Sequence, residues 1–351
     1  MEKQKYTSQS ILQKRIKKFK SIKRGYYSLW IIGILYFFAE LTPIWITDKP
    51  LAVKYQGEYY FPLANTYKAT DFGLEGHGEP NYRALDKAFE TQEGNWVILP
   101  LYPYHPNESL LRELSPQVPP TAPSSEHLFG TDNRGRDVFA RLVYGFKYSI
   151  RFALIVTTFS YILGIIVGAT LGYFGKTVDI LGQRIIEVFS SIPFLFMIII
   201  IRESLAEPPG FLGLAFILSA FGWMGMTYYI RGEFYREKAK DYVSAAVSMG
   251  ASNRRVMFKH ILPNALTPVI TFAPFAIVGA IFSLVSLDFL GFGLVPPTPS
   301  WGEIANQGIS EFRWWLISSP MLATFTTLLL ITFIGEAIRE AFDPKVYSRL
   351  R

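Results

Sequence analysis

The sequence predicts an all-α integral membrane protein: six transmembrane helices with an extracytoplasmic insertion between helices 1 and 2. Three observations carry this. Charged residues make up 18% of the 351-residue chain and hydrophobic residues 50%, whereas an average globular chain is about 25% charged. Apolar segments recur at roughly 28–47, 149–174, 185–201, 211–230, 265–290 and 314–338, and about 20 mostly apolar residues cross roughly 30 Å of hydrocarbon. Lipid offers backbone groups no hydrogen-bond partner, so such segments must be helical.

The placement of charge gives the orientation. The first 24 residues hold nine Lys or Arg. The connection 231–264 carries Arg231, Arg236, Lys238, Lys240, Arg254, Arg255 and Lys259. The C-terminal end adds Arg339, Lys345, Arg349 and Arg351. Lys and Arg concentrate on the cytoplasmic side, so both termini and 231–264 are expected there. The stretches 202–210 and 291–313, each with one Arg and two Glu, are expected outside. Basic residues flank spans and form no single patch. The bilayer is therefore an expected partner and nucleic acid is not. The absence of Cys excludes disulfides, thiol catalysis and Cys-ligated metals.

Along the chain, residues 1–27 form a basic tail in which Ile11, Leu12, Ile16, Phe19 and Ile22 recur near helical spacing, which describes an interfacial amphipathic helix. The first span, 28–47, has no small-x-small cleavage pattern after it and reads as uncleaved. Glu40 lies inside it. Residues 48–146 are polar and rich in Pro, Gly and Tyr. They contain β-like runs at Val53-Lys54-Tyr55 and Tyr59-Tyr60-Phe61, broken by Gly57 and Pro62, and an irregular stretch at 115–125. His77, His105 and His127 have the spacing of no metal site.

Residues 147–341 form the transmembrane core, followed by a 342–351 tail. Arg151 opens the second span, where Gly164, Gly168 and Gly172 share one helix face and admit a close neighbour. Gly175-Lys176-Thr177 resembles the end of a phosphate-binding loop. Thr170 stands where that loop needs Gly, and a membrane helix precedes it instead of a strand, so no nucleotide site is expected. Charged residues near spans suggest function by default. Asp288, leading into Gly291 and Gly293, is either paired structurally or part of a pathway or gate.

The most informative segment lies between spans four and five. Val243, Ala246, Val247 and Gly250 fall at i, i+3, i+4 and i+7, an apolar stripe on a short helix. Gly250 can end that helix. Ser252 can cap a second one, expected to end near Pro263. This helix–turn–helix is either a surface for a partner's groove or an ordinary amphipathic connector; spacing leaves both open.

Ala245, Ala246, Gly250, Leu262 and Pro263 match in register the signature loop of ABC importer permeases: Glu-Ala-Ala, three residues, Gly, nine residues, Ile, one residue, Leu-Pro. Ser244 stands where Glu is usual, and His260 where Ile is usual. His260 before Ile261-Leu262-Pro263-Asn264 resembles the dipeptide/oligopeptide/nickel branch of that family. So do Gly130–Arg141 with Tyr144-Gly145, Leu290-Gly291-Phe292-Gly293 with Pro296–Gly302, and Gly335-Glu336 with Arg339 and Asp343-Pro344. Arg24–Trp30, Asp48–Leu51, Tyr59–Pro62 and Asp71–Gly73 are similar to YejE-type permeases for oligopeptides and microcin C.

The resemblance implies the type I ABC importer permease fold in a bacterial inner membrane. It implies a second, different permease subunit, an ABC ATPase and a periplasmic solute-binding protein. Val243, Ser244, Ala245, Ala246, Val247, Gly250, His260, Leu262 and Pro263 would form the ATPase-coupling loop. ATP and Mg would be bound by the ATPase, with no cofactor, metal or catalytic residue on this chain. The rival class, an ATP-independent secondary transporter or channel, calls for ionisable residues in several mid-span positions and inverted repeats. The sequence has few of the former and no visible repeat.

Overall fold

A computed structural model describes residues 10–76 and 78–343; His77, Pro344, Lys345, Arg349 and Arg351 lie outside them. Helix α1, Ile11–Ser21, starts at a capping box in which the Ser10 hydroxyl accepts from the Gln13 N–H and the Gln13 side chain accepts from the Ser10 N–H. Residues 11–21 are therefore helical, with Phe19 half-buried and Ile11, Leu12 and Ile16 exposed. After a bend at Ile22, α2 runs Lys23–Glu40, so the first apolar helix begins and ends earlier than the expected 28–47. Thr42 closes α2 by donating to the Ala39 carbonyl at 2.9 Å, and a separate turn, Thr42–Trp45, follows.

The insertion folds around a three-stranded antiparallel sheet of order β2-β1-β3, with β1 Ala52–Tyr55, β2 Glu58–Tyr60 and β3 Trp96–Ile98. Gly57, at φ +90°, makes the β1–β2 turn. Val53, Phe72, Tyr82, Leu85 and Phe89 form its core, the last three from α3, Tyr82–Phe89. Both expected β runs are present. β3, which no sequence signal marks, pairs antiparallel with β1.

Helix α4, Val138–Phe174, is 37 residues long, which is about 55 Å at 1.5 Å per residue. It exceeds the hydrocarbon thickness, so it begins well before the expected 149. Asp137 caps it, accepting from the Ala140 N–H at 2.8 Å. Arg151 therefore lies inside α4 instead of opening it, and it pairs with Glu40, its Nε 2.8 Å from Oε1.

The expected third span is broken. Helices α5, Lys176–Ser190, and α6, Phe194–Ser204, meet at 78°. Pro193 donates no backbone hydrogen bond and turns Ile192 away from helical geometry. The fourth is bent by 42° between α7, Phe211–Gly222, and α8, Met224–Lys238. Because α8 extends to Lys238, the connection expected from 231 starts at Ala239. After a short α9, Asp241–Ser248, come α10, Thr267–Phe289, α11, Trp301–Ser310, and α12, Trp314–Phe342.

Among the described residues α4, α10 and α12 are long and apolar enough to span, and each bent pair adds one more, for up to five. Helix α2, with Lys23, Arg24 and Glu40 flanking its apolar stretch, packs along α12. A Cβ on Gly25 would stand 2.1 Å from the Ala337 Cβ. The glycine seam on α4 receives α8: Cβ atoms at Gly164, Gly168 and Gly172 would meet Met226, the Thr227 carbonyl and Phe234 at 2.8, 2.7 and 2.6 Å. One core cluster, with Phe152, Leu218, Leu284 and Trp301, lies toward the insertion. A second, with Tyr173, Ile230, Phe234, Val256 and Ile261, lies at the far end.

Candidate functional site

At that far end α9 stands on the second core cluster. Val243 and Ala246 are each 3% exposed, and Val243 packs with Val256, Met257 and Ile261. The chain then reverses in a Schellman motif: the Gly250 N–H donates to the Val247 carbonyl at 2.9 Å and the Ala251 N–H to Ala246 at 3.1 Å. Gly250 takes φ +79°, the left-handed geometry that glycine adopts without strain. The apolar stripe expected from spacing is only half seated. Val247 is 54% exposed and Met249 81%, although Ala246 beside them is buried. Ser244, Ala245 and Gly250 also face outward.

Ser252 caps the next segment as expected, accepting from the Arg255 N–H. That segment runs two residues past Pro263 before it ends. Asn253–Arg255 passes into a π-helical turn, Val256–Ile261, and helix resumes over Leu262–Ala265. The wider turn accommodates the missing Pro263 N–H and its ring, which an uninterrupted α-helix would not. Leu262 is half-buried and Pro263 exposed.

Residues outside the motif hold this unit rigid. Glu237, buried at the end of α8, accepts from Lys240 Nζ at 2.7 and 2.8 Å and from the Tyr242 hydroxyl at 2.9 Å. Desolvation, reinforced by the hydrogen bond to Glu237, pushes the Tyr242 hydroxyl above its ordinary pKa, so it remains a donor. Asn264 donates to the Tyr242 oxygen at 3.3 Å and to the His260 carbonyl at 3.1 Å. Tyr173 on α4 donates to the Asn253 side chain at 2.8 Å. His260 thus contributes its backbone oxygen to the unit. Glu237, Tyr242, Asn264 and Tyr173 carry no sequence spacing that reveals them.

Asp288 sits at the opposite end of α10. Its carboxylate is buried and accepts from the Leu294 N–H at 2.6 Å. The loop folds over it so closely that a Cβ on Gly293 would lie 1.8 Å from Oδ1. Gly291 turns the chain at φ +83°. Asp288, Gly291 and Gly293 therefore form a closed turn, which supports the structural reading of Asp288.

Two motifs noted separately in sequence meet here. Arg136 Nε donates to Asp132 at 2.7 Å, and Arg136 and Arg141 donate to the two Glu303 oxygens at 3.1 and 2.5 Å. Trp301 donates to the Leu142 carbonyl at 2.9 Å. The lead-in to α4 and helix α11 are thus one block; Glu303, its centre, was missed. Among the described residues no cluster of His, Asp or Glu is placed to hold a metal.

Residues 160–348 match the family described as binding-protein-dependent transport system inner membrane component, and the chain belongs to it: it is an ABC transporter permease subunit of the inner membrane with the type I importer fold. It is 39% identical to the inner membrane ABC transporter permease protein YejE of Escherichia coli K12, over 95% of this chain and 96% of the relative. It is 36% identical to the peptidoglycan transport system permease protein YejE of Agrobacterium fabrum C58, over 95% and 93%. Against the dipeptide transport system permease protein DppC of Bacillus subtilis 168 it is 32% identical, over 76% and 85%. An inward-facing methionine ABC transporter, MetNI, superposes with a TM-score of 0.49 at 19% identity, over 58% of this chain and 97% of that one.

Proposed function

We propose that this chain is one half of a heterodimeric import pathway for oligopeptides or peptide-like compounds, including microcin C. Its partners would be a second permease, a separate ABC ATPase that binds ATP and Mg, and a periplasmic solute-binding protein. Both termini and the α9 unit would face the cytoplasm. The observation that carries the coupling role is the division of α9: Val243 and Ala246 root it in the core, while Val247, Met249 and Gly250 project from a rigid turn. A movement of the ATPase against that tip would pass into α8 through Glu237 and into α4 through Tyr173. Such transmission needs an element whose position both sites bias.

The cargo assignment rests on the relatives, which align along nearly the whole chain, insertion included. The name of the Agrobacterium relative favours cell-wall peptides as a further cargo. The test is a deletion strain that is auxotrophic for an amino acid. It is expected to lose growth on peptides containing that amino acid and to survive a peptide–nucleotide toxin. Undiminished growth and killing would overturn the assignment, and uptake of labelled muropeptides separates the two cargoes.

A further inference from the structure

We infer that α1 and the notch beneath it form a binding site for one anionic phospholipid. The notch, about 250 Å³, is walled by Leu12, Ile16 and Phe19 of α1, Leu29 of α2, Ile270 of α10 and Ile338 of α12. Helix α1 is fastened to α12 by Lys18 to Glu340 at 2.8 Å, and the start of α2 by Arg24 to Glu336 at 3.0 Å. The Arg15 guanidinium lies 4.4 Å from the centre of the Phe342 ring. Only part of the apolar face of α1 is seated, and Ile11, Leu12 and Ile16 stay 70, 60 and 46% exposed. The surface is hydrocarbon throughout and sits beside membrane helices, which suits an acyl chain.

The chain segment that walls the notch supplies the headgroup chemistry: Arg15 lines it directly, and further lysines stand on the same segment. Lys14, Lys17, Lys20 and Lys23 are exposed and have no carboxylate partner among the described residues, since the two acidic residues of α12 are taken by Lys18 and Arg24. Excess positive charge beside a hydrocarbon slot selects a lipid with a negative headgroup over a zwitterionic one, because each lysine near the surface adds attraction to anionic lipid. A helix with an apolar face and lysines opposite is the arrangement that lies in a membrane interface. The assignment to the cytoplasmic leaflet rests on the proposed orientation; the binding itself does not.

The test is native mass spectrometry of the full chain, purified with equal amounts of palmitoyl-oleoyl phosphatidylglycerol and phosphatidylcholine. The wild type is expected to retain phosphatidylglycerol roughly tenfold over phosphatidylcholine. Replacing Lys14, Lys17, Lys20 and Lys23 together by Gln is expected to abolish that preference. Ile270→Trp, which fills the notch and keeps the lysines, is expected to reduce retention of both lipids. Equal retention by the wild type overturns the proposal. So does an unchanged preference in the lysine variant, or loss of a co-purifying ATPase from that variant with its lipid preference intact. Sidedness is read separately: the chain has no Cys, so Ser10→Cys labelled only from outside would refute the orientation and leave lipid retention standing.

Discussion

Gly250 and Glu237 do different work at the two ends of α9. At Gly250 the backbone requires positive φ, yet nothing lies within 4 Å of an added Cβ. Gly250→Ala is therefore expected to cost about 1 kcal/mol through backbone strain alone, read as a small drop in melting temperature with transport kept. Glu237 is buried with its charge answered by Lys240 and Tyr242. Hydrogen bonds to charged groups contribute about 1.5–3 kcal/mol, so Glu237→Ala is expected to destabilise by that order and Tyr242→Phe by less, measured by thermal unfolding in detergent. The glycine was legible because its backbone role is written in its identity. Glu237 and Tyr242 were not, because their contacts cross a turn whose geometry no periodicity encodes.

Among the elements, the glycine seam of α4 was readable in advance: small residues four apart announce a close neighbour. Gly168→Leu is expected to push α8 away, since even a Cβ would stand 2.7 Å from the Thr227 carbonyl. The yield of folded protein should fall sharply, whereas Gly279→Ala, at an open position, should leave it unchanged. The break at 191–193 and the π turn before Pro263 were hidden, because hydropathy reports how apolar a segment is and not whether it runs straight.

The insertion has its own acid response. Burial lowers the pKa of His105 below the ordinary 6.5, opposed by the charges of Asp48 and Glu108. Glu113 is held below its ordinary 4.5: desolvation raises it, but the hydrogen bonds and charge of Arg83 outweigh that. In both cases the unfolded state binds more protons, so the stabilisation is present above the ordinary value and is lost as pH falls through the folded one. Limited proteolysis of the insertion is expected to accelerate first below about pH 6.5 and again below the ordinary carboxylate range. His105→Gln should remove the first step only.

For the molecule as a whole, the buried charges join parts distant in sequence. Glu303 answers Arg136 and Arg141, and breaking such a buried pair costs about 3–5 kcal/mol. Glu303→Ala is expected to loosen the insertion from α11 while leaving the α9 unit folded, seen as faster hydrogen exchange confined to 130–145 and 300–310. Charge and span order put both stretches outside, but only folding shows that one carboxylate serves both.

In the proposed coupling, α9 turns the motion of a separate ATPase into opening of this pathway. The direct measurement is peptide uptake and ATP hydrolysis in vesicles holding this chain, its partner permease, the ATPase and the binding protein, comparing wild type with Gly250→Arg. The expected result is an inserted, assembled complex that hydrolyses ATP but moves no peptide. Peptide uptake at the wild-type rate, or uptake by either form with the ATPase left out, would contradict it.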